Sequence, residues 1–186
     1  MGFSNKSSLK KGNVLISRPL LNDDYFHKSV VLLTDYHEEV VGFIINKPSQ
    51  LNLCDLIADF PEFDSKVYYG GPVAPDNLYF IHRVPEKIEG SIPIVNDLYW
   101  GGDFDQVKSL ILKGELMSDD IRFFLGYSGW GLNQLDEEIS SNAWIIDELE
   151  GSLFHWETPD LWKKCMSKKE SDFEIWKDAP KDVRLN

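Results

Sequence analysis

The residues that could do hydrolytic chemistry lie around one serine. Ser128 stands in the segment G-Y-S-G-W-G, which resembles the nucleophile turn G-x-S-x-G of hydrolases. Asp147 and His155 follow it in the order of a hydrolase triad. However, Trp130 replaces the closing glycine of that turn, and the chain is short for an ordinary hydrolase sheet. The segment predicts either a hydrolase that uses these three side chains or an aromatic turn whose glycines permit unusual backbone angles.

Metal chemistry finds little support in the sequence. A metal site needs three or four convergent donors, whereas the four histidines are spread along the chain. His37 and Glu38 match only the first two letters of an HExxH motif, and they lie in a predicted turn. Cys54 lies on the apolar face of a predicted helix, which is typical of a small core residue. We expect no metal site and no cofactor. The four histidines are His27, His37, His82 and His155.

A second group of residues closes predicted strands. Arg18 and Asn46 each follow an apolar strand close to a proline, and Gly70 and Gly71 follow another strand. Such residues could project into a shared cleft, where glycine N–H groups approach a ligand closely. Alternatively, they could bond loop carbonyls and form tight turns. The predicted binding residues are Arg18, Asn46, Gly70, Gly71, Ser128 and Trp130.

The charge of the chain limits its partners. With 31 acidic and 19 basic residues, the net charge is −12, and it repels the phosphate backbone of nucleic acids. The best lysine cluster is followed directly by acidic residues and predicts a solvated helix face. It consists of Lys163, Lys164, Lys168 and Lys169. The sequence argues against direct nucleic-acid binding. We expect a protein or small-molecule partner of unknown identity, and the oligomeric state stays open.

The expected location is the cytoplasm. No stretch reaches the roughly 20 apolar residues that a membrane span requires. Polar residues 4–11 lack the apolar stretch of a signal peptide. Cys54 and Cys165 lie far apart and form no CxxC pair, which is typical of reduced thiols. We therefore expect a cytoplasmic protein that makes no membrane contact.

Apolar runs and turn residues predict a mixed order of strands and helices. Strands are expected at residues 13–17, 29–34, 40–46, 67–69, 78–82, 92–95, 121–127 and 143–146. Helices are expected at residues 52–60, 103–113 and 132–140 and from residue 158 onward. The second and third strands read as a hairpin, and their continuous apolar runs indicate a sheet covered on both faces. A glycine-rich turn is expected after residue 127.

The chain is expected to form one domain. No linker rich in proline, glycine or serine divides it, and strands and helices do not alternate regularly. We therefore predict a single compact α+β domain over residues 1–186. Loose ends are expected at residues 1–11 and from about residue 172 to residue 186, because these segments are polar.

Six motifs occur together in a fixed order. They are G-N-V-L-I-S-R-P at 12–19, F with S-V-V-L-L at 26–33, G-F-I-I-N-K-P at 42–48, Y-G-G-P-V at 69–73, G-G-D at 101–103 and F-L-G-Y-S-G-W at 124–130. In this order and spacing, from about residue 12 to residue 144, the chain resembles the YqgE/AlgH family of bacterial proteins. The pattern of that family also accepts alanine at position 128, which weakens the hydrolase hypothesis.

The resemblance implies a fold and little chemistry. The implied fold is a partly closed mixed β-sheet surrounded by helices, and the family is sometimes labelled as transcriptional regulators. Because this sequence has no helix-turn-helix and no basic recognition face, any regulation would be indirect. The leading hypothesis is a non-enzymatic cytosolic binding or regulatory protein. The alternative is a hydrolase that uses Ser128 with Asp147 and His155.

Overall fold

A computed structural model describes residues 9–19, 21, 23–149 and 160–169. Within these residues the chain forms nine strands and four α-helices. The strands are β1 (Asn13–Ser17), β2 (Val30–Tyr36), β3 (Glu39–Ile44), β4 (Val67–Tyr69), β5 (Val73–His82), β6 (Ile92–Val95), β7 (Leu98–Trp100), β8 (Ile121–Gly131) and β9 (Trp144–Glu148). The helices are α1 (Leu53–Leu56), α2 (Phe104–Leu112), α3 (Leu132–Ser140) and α4 (Leu161–Lys169). None of these helices is long and apolar enough to cross a membrane.

The strands form one sheet in the order β6-β7-β5-β8-β3-β2-β1-β9, and β4 pairs with β8 beside this path. All pairings are antiparallel except the parallel pairing of β4 with β8. The predicted hairpin is confirmed as β2 and β3, and its turn is shorter than expected because the strands extend to Tyr36 and from Glu39. β1 and the first five residues of β2 are buried, as their continuous apolar runs predict.

β8 is the long strand that joins the two halves of the sheet. Its first half lies between β4 and β5, and its second half pairs with β3 through residues Ser128 to Gly131. The expected glycine-rich turn is therefore wrong, because the segment continues as strand. Gly126 has a φ of +65° in the middle of β8, which gives the strand a bend that few other residues could adopt. This bend lets one strand serve both halves.

The sheet curls so that its two ends approach each other. Lys11, two residues before β1, donates a hydrogen bond from Nζ to the Pro93 carbonyl of β6 at 3.0 Å. Val14, Val30 and Ile94 from β1, β2 and β6 share one buried cluster. The result is a curled, largely antiparallel half-barrel with four helices. The predicted α+β class is confirmed in this form, with the sheet as the dominant element.

The helices cover the sheet and complete three buried clusters. α1 and α2 cover one cluster around Phe123, and α3 covers another that contains Trp130 and Trp144. α4 adds Trp162 to the cluster inside the curl. The indole N–H of Trp162 donates to the Ser17 carbonyl at 2.7 Å. Since Ser17 closes β1, this bond fixes α4 against that strand.

Local sequence explains where two helices begin and end. Asp103 caps α2, because its Oδ1 accepts from the N–H groups of Asp105 and Gln106. The Gln106 side chain accepts from the Glu89 N–H instead of closing a capping box. α1 is only four residues long, whereas nine were expected, because Ile57 is extended and Asp59 has a φ of +56°.

The predicted ends fall mostly outside the described residues. Residues 9–11 are an exception, because the structure describes them. Leu9 is buried in the cluster under α3, and Lys10 donates its N–H to Asn13 Oδ1 at 2.9 Å. Leu9 therefore belongs to the core, and the expectation of loose ends stays a prediction. The extent of a single domain over residues 1–186 stays a prediction.

Candidate functional site

Three of the six predicted binding residues lie together in tightly packed backbone. Ser128 on β8 is fully buried, and its hydroxyl donates to the Gly70 carbonyl at 2.9 Å. The same carbonyl accepts from the Ile44 N–H at 2.8 Å. A Cβ on Gly71 would lie 2.3 Å from the Tyr127 carbonyl oxygen. The glycines therefore allow the segment after β4 to cross directly over β8.

Asn46 and Arg18 make contacts at other strand ends. Asn46 Oδ1 accepts from the Val30 N–H at 2.8 Å, and its Nδ2 donates to the Lys28 carbonyl at 2.9 Å. This side chain thus joins the end of β3 to the residues that begin β2. Arg18 is half-buried, and its backbone N–H donates to the carbonyl of Ala143 at 3.0 Å. Ala143 lies directly before β9.

Trp130 belongs to an aromatic cluster under α3. Its indole N–H and that of Trp144 both donate to Glu138 Oε2, at 3.0 Å and 2.7 Å. Phe26 packs on both rings, with centroid distances of 5.5 Å and 5.3 Å. The six residues are thus held by contacts with different elements. A ligand-binding role for them stays a prediction.

The hydrolase constellation finds no support in this geometry. A nucleophile needs an accessible hydroxyl beside a base, whereas Ser128 is fully buried and its hydroxyl is held by Gly70. Asp147 lies on β9, four strands from β8 in the sheet, and forms an ion pair with Lys169 at 2.8 Å. His155 lies outside the described residues. In the described part of the chain, no three His, Cys, Asp or Glu side chains are placed to hold a metal ion.

His82 is a buried side chain whose role the sequence did not reveal. Its Nδ1 accepts from the Val84 N–H at 3.3 Å, so the proton of the neutral ring lies on Nε2. Nε2 lies 3.2 Å from the Gly101 carbonyl and 3.1 Å from Ser91 Oγ. Desolvation lowers the pKa of His82 below its ordinary value. The ring therefore acts as a neutral connector between β5 and the loop after β7.

A cavity of about 620 Å³ lies between α4 and the strands β1 and β9. Its lining is mostly apolar and includes Val14, Ile16, Leu161 and the half-buried Cys165. Its volume falls in the range of roughly 300 to 1,000 Å³ that small-molecule sites occupy. Among the residues that the structure describes, the ionisable groups of the lining are carboxylates, lysines and Cys165.

The rim of this cavity carries three lysines and three carboxylates. Lys163, Lys164 and Lys168 from the predicted lysine cluster all line it. Two rim carboxylates are already ion-paired, since Asp147 contacts Lys169 at 2.8 Å and Glu148 contacts Lys10 at 3.5 Å. The lysine cluster, which the sequence predicted to be only a solvated helix face, is therefore placed at the mouth of an apolar cavity.

The fold and these motifs agree with known proteins. The profile of the AlgH-like family matches residues 14–174. The chain belongs to the AlgH-like family. A UPF0301 protein of Bacteroides fragilis is 44% identical over 186 aligned positions. The alignment covers 98% of this chain and 94% of that protein. A UPF0301 protein of Cytophaga hutchinsonii is 39% identical over 181 residues, which cover 96% of this chain and 100% of that protein.

The AlgH-like fold is also shown by a solved structure. The solution structure of the AlgH protein from Pseudomonas aeruginosa superposes with a TM-score of 0.71 at 25% identity, covering 97% of this chain and 99% of that one. The resemblance to the YqgE/AlgH family that the six motifs indicate is thereby confirmed. The names of these AlgH-like proteins state no reaction and no ligand. An activity must therefore be argued from the geometry of the site.

Proposed function

We propose that this AlgH-like protein acts in the cytoplasm as a non-enzymatic binding protein, and that the cavity beside α4 holds an anionic amphiphile. One observation carries the proposal: an apolar floor of Val14, Ile16 and Leu161 lies below a rim of three lysines and three carboxylates. Two of the three carboxylates are already ion-paired with lysines outside the rim. An apolar chain would be desolvated on the floor, while an anionic head would meet the lysines.

Three further features support a binding role. The buried Ser128 hydroxyl, bonded to Gly70, is unsuited to attack a substrate. Cys54 and Cys165 are both thiols rather than halves of a disulfide, as is usual in a reducing compartment. The net charge of −12 opposes contact with nucleic acid. A regulatory role would then be indirect, through a partner protein that distinguishes the ligand-bound form from the empty form.

The two thiols provide a direct test. Cys165 lines the cavity and Cys54 is exposed elsewhere, on α1. Saturating dodecanoate should slow the alkylation of Cys165 by iodoacetamide roughly fivefold or more, because a bound chain covers the thiol. The alkylation of Cys54 should not change. Peptide mass spectrometry measures both rates in one sample, so Cys54 is the internal control.

The head-group assignment needs a charge test. Lys164→Glu should weaken dodecanoate binding by about fivefold, since an exposed charge contact contributes up to about 1 kcal/mol. Lys113→Glu, at the exposed end of α2, is the matched control and should bind normally. If dodecanoate leaves Cys165 alkylation unchanged, the cavity is not its site. If decyltrimethylammonium protects Cys165 equally well, the anionic head is wrong.

A further inference from the structure

The sheet ends in two edge strands, β6 and β9, in the part of the chain that the structure describes. β6 is protected against a further strand. Pro93 lies within it and has no N–H group, and the Pro93 carbonyl accepts from Lys11 Nζ at 3.0 Å. Proline and lysine are two residues with which proteins commonly block an edge strand. β9 contains neither residue, so β9 is the edge to which a further strand could be added.

The pairing of β9 with β1 shows which backbone groups of β9 face the free side. The Ala143 carbonyl accepts from the Arg18 N–H at 3.0 Å and therefore points toward β1. Since hydrogen-bonded and non-hydrogen-bonded pairs alternate along an antiparallel ladder, the backbone groups of Trp144 and Ile146 point away from β1. These outward groups form no backbone hydrogen bond with any residue that the structure describes. They are an open template for another strand.

The two carboxylates of β9 are already paired. Asp147 contacts Lys169 at 2.8 Å, and Glu148 contacts Lys10 at 3.5 Å. A basic segment would have to compete with these lysines, and an acidic segment would meet two carboxylates. The charges thus favour a partner strand that is itself close to neutral. A second copy of β9, with its own carboxylates paired in the same way, meets this requirement.

We infer that β9 pairs with β9 of a second copy of this chain, antiparallel about a two-fold axis at Ile146. In this register Ile146 faces the partner's Ile146. Ile145 faces the partner's Asp147, and Trp144 faces the partner's Glu148, so no two carboxylates lie in opposite positions. The Ile146 N–H donates to the partner's Ile146 carbonyl, the Trp144 N–H donates to the partner's Glu148 carbonyl, and symmetry repeats both bonds. The two sheets join into one.

Self-association through this edge should be weak and should depend on salt. The five residues of β9 span roughly 17 Å. We expect so short a contact to bury less than the about 1,200 Å² of a stable interface. The net charge of −12 on each copy also opposes association. Because salt screens this repulsion, the dissociation constant of the dimer should fall about threefold or more between about 20 mM and about 300 mM NaCl. No ligand takes part, so this inference is independent of the function proposed above.

Sedimentation equilibrium of the full chain, from about 5 µM to about 500 µM, tests the inference. The wild type should form a dimer whose fraction rises with concentration. Ile146→Lys and Ile146→Glu should each weaken the dimer about tenfold or more, because like charges then face each other across the two-fold axis. Ile92→Lys, the same change at an exposed position of the edge strand β6, is the matched control and should dimerise like the wild type.

A mixture of two variants separates recognition from folding. Equal amounts of Ile146→Lys and Ile146→Glu should form a heterodimer, since opposite charges then face each other, and a folding defect would not be rescued in this way. A wild type that stays monomeric over the whole concentration range would overturn the inference. A mixture that associates no better than its separate components would also overturn it, as would an Ile92→Lys variant that loses as much affinity as Ile146→Lys.

Discussion

Gly70→Ala tests whether this glycine is required for close backbone packing. A Cβ at position 70 would lie 2.3 Å from the Gly126 carbonyl oxygen and 2.9 Å from Phe43 Cδ1. The nearer obstacle is backbone, so β8 or the segment after β4 must shift. Overpacking typically costs about 1 to 3 kcal/mol. The shift would also strain the hydrogen bonds of Gly70 with Leu125, Ile44 and Ser128, which contribute about 1 kcal/mol each.

We therefore expect Gly70→Ala to lower the free energy of unfolding by about 3 to 5 kcal/mol. The control is Gly114→Ala: Gly114 has a φ of +69° but open space around its Cβ position. That change should cost only the backbone strain, about 1 to 2 kcal/mol. Urea unfolding followed by tryptophan fluorescence measures both. If Gly70→Ala costs no more than Gly114→Ala, the packing argument fails. A small loss would instead favour a role of Gly70 in binding a ligand.

Two other buried groups give further predictions. Ser128→Ala should lower the free energy of unfolding by only about 1 kcal/mol, because the Gly70 carbonyl keeps its bond from Ile44. A fluorophosphonate should leave Ser128 of the wild type unlabelled. Covalent labelling of Ser128 would restore the hydrolase hypothesis. Burial lowers the pKa of His82 in the folded protein. Below about pH 6.5 the unfolded state therefore binds a proton that the folded state does not bind as readily. As the pH falls, the free energy of unfolding should decrease by up to about 1.4 kcal/mol per pH unit. His82→Gln should lose this part of the decline between about pH 7.5 and pH 5.5, and an unchanged slope in urea unfolding would contradict the assignment.

The sequence predicted those elements whose signals are local. β1 and β6 occur at the predicted residues, because an apolar run and the turn residues around it define each strand. α2 follows from Asp103 and one apolar face. β7 was missed although a signal was present: Asn96 and Asp97 separate it from β6, and Asn96 has a φ of +52°, as two-residue hairpin turns require.

The predictions that failed depend on distant partners. The glycine-rich end of β8 looks like a turn in isolation, and it becomes strand because β3, about ninety residues earlier, pairs with it. The same limit applies to the sites. Lys163 and Lys164 are predicted as a polar helix face, and only the packing of α4 against β1 places them above an apolar floor.

The pairing of β1 with β9 has a consequence for synthesis on the ribosome. β1 is made first, yet one of its two neighbours in the sheet lies about 130 residues later in the chain. At about 5 to 20 residues per second, roughly 6 to 26 s pass before β9 is translated. Throughout that interval one edge of an apolar strand stays open to pairing with other nascent chains. We therefore expect early chains that end before Trp144 to depend on a chaperone such as trigger factor, and complete chains to be released from that dependence.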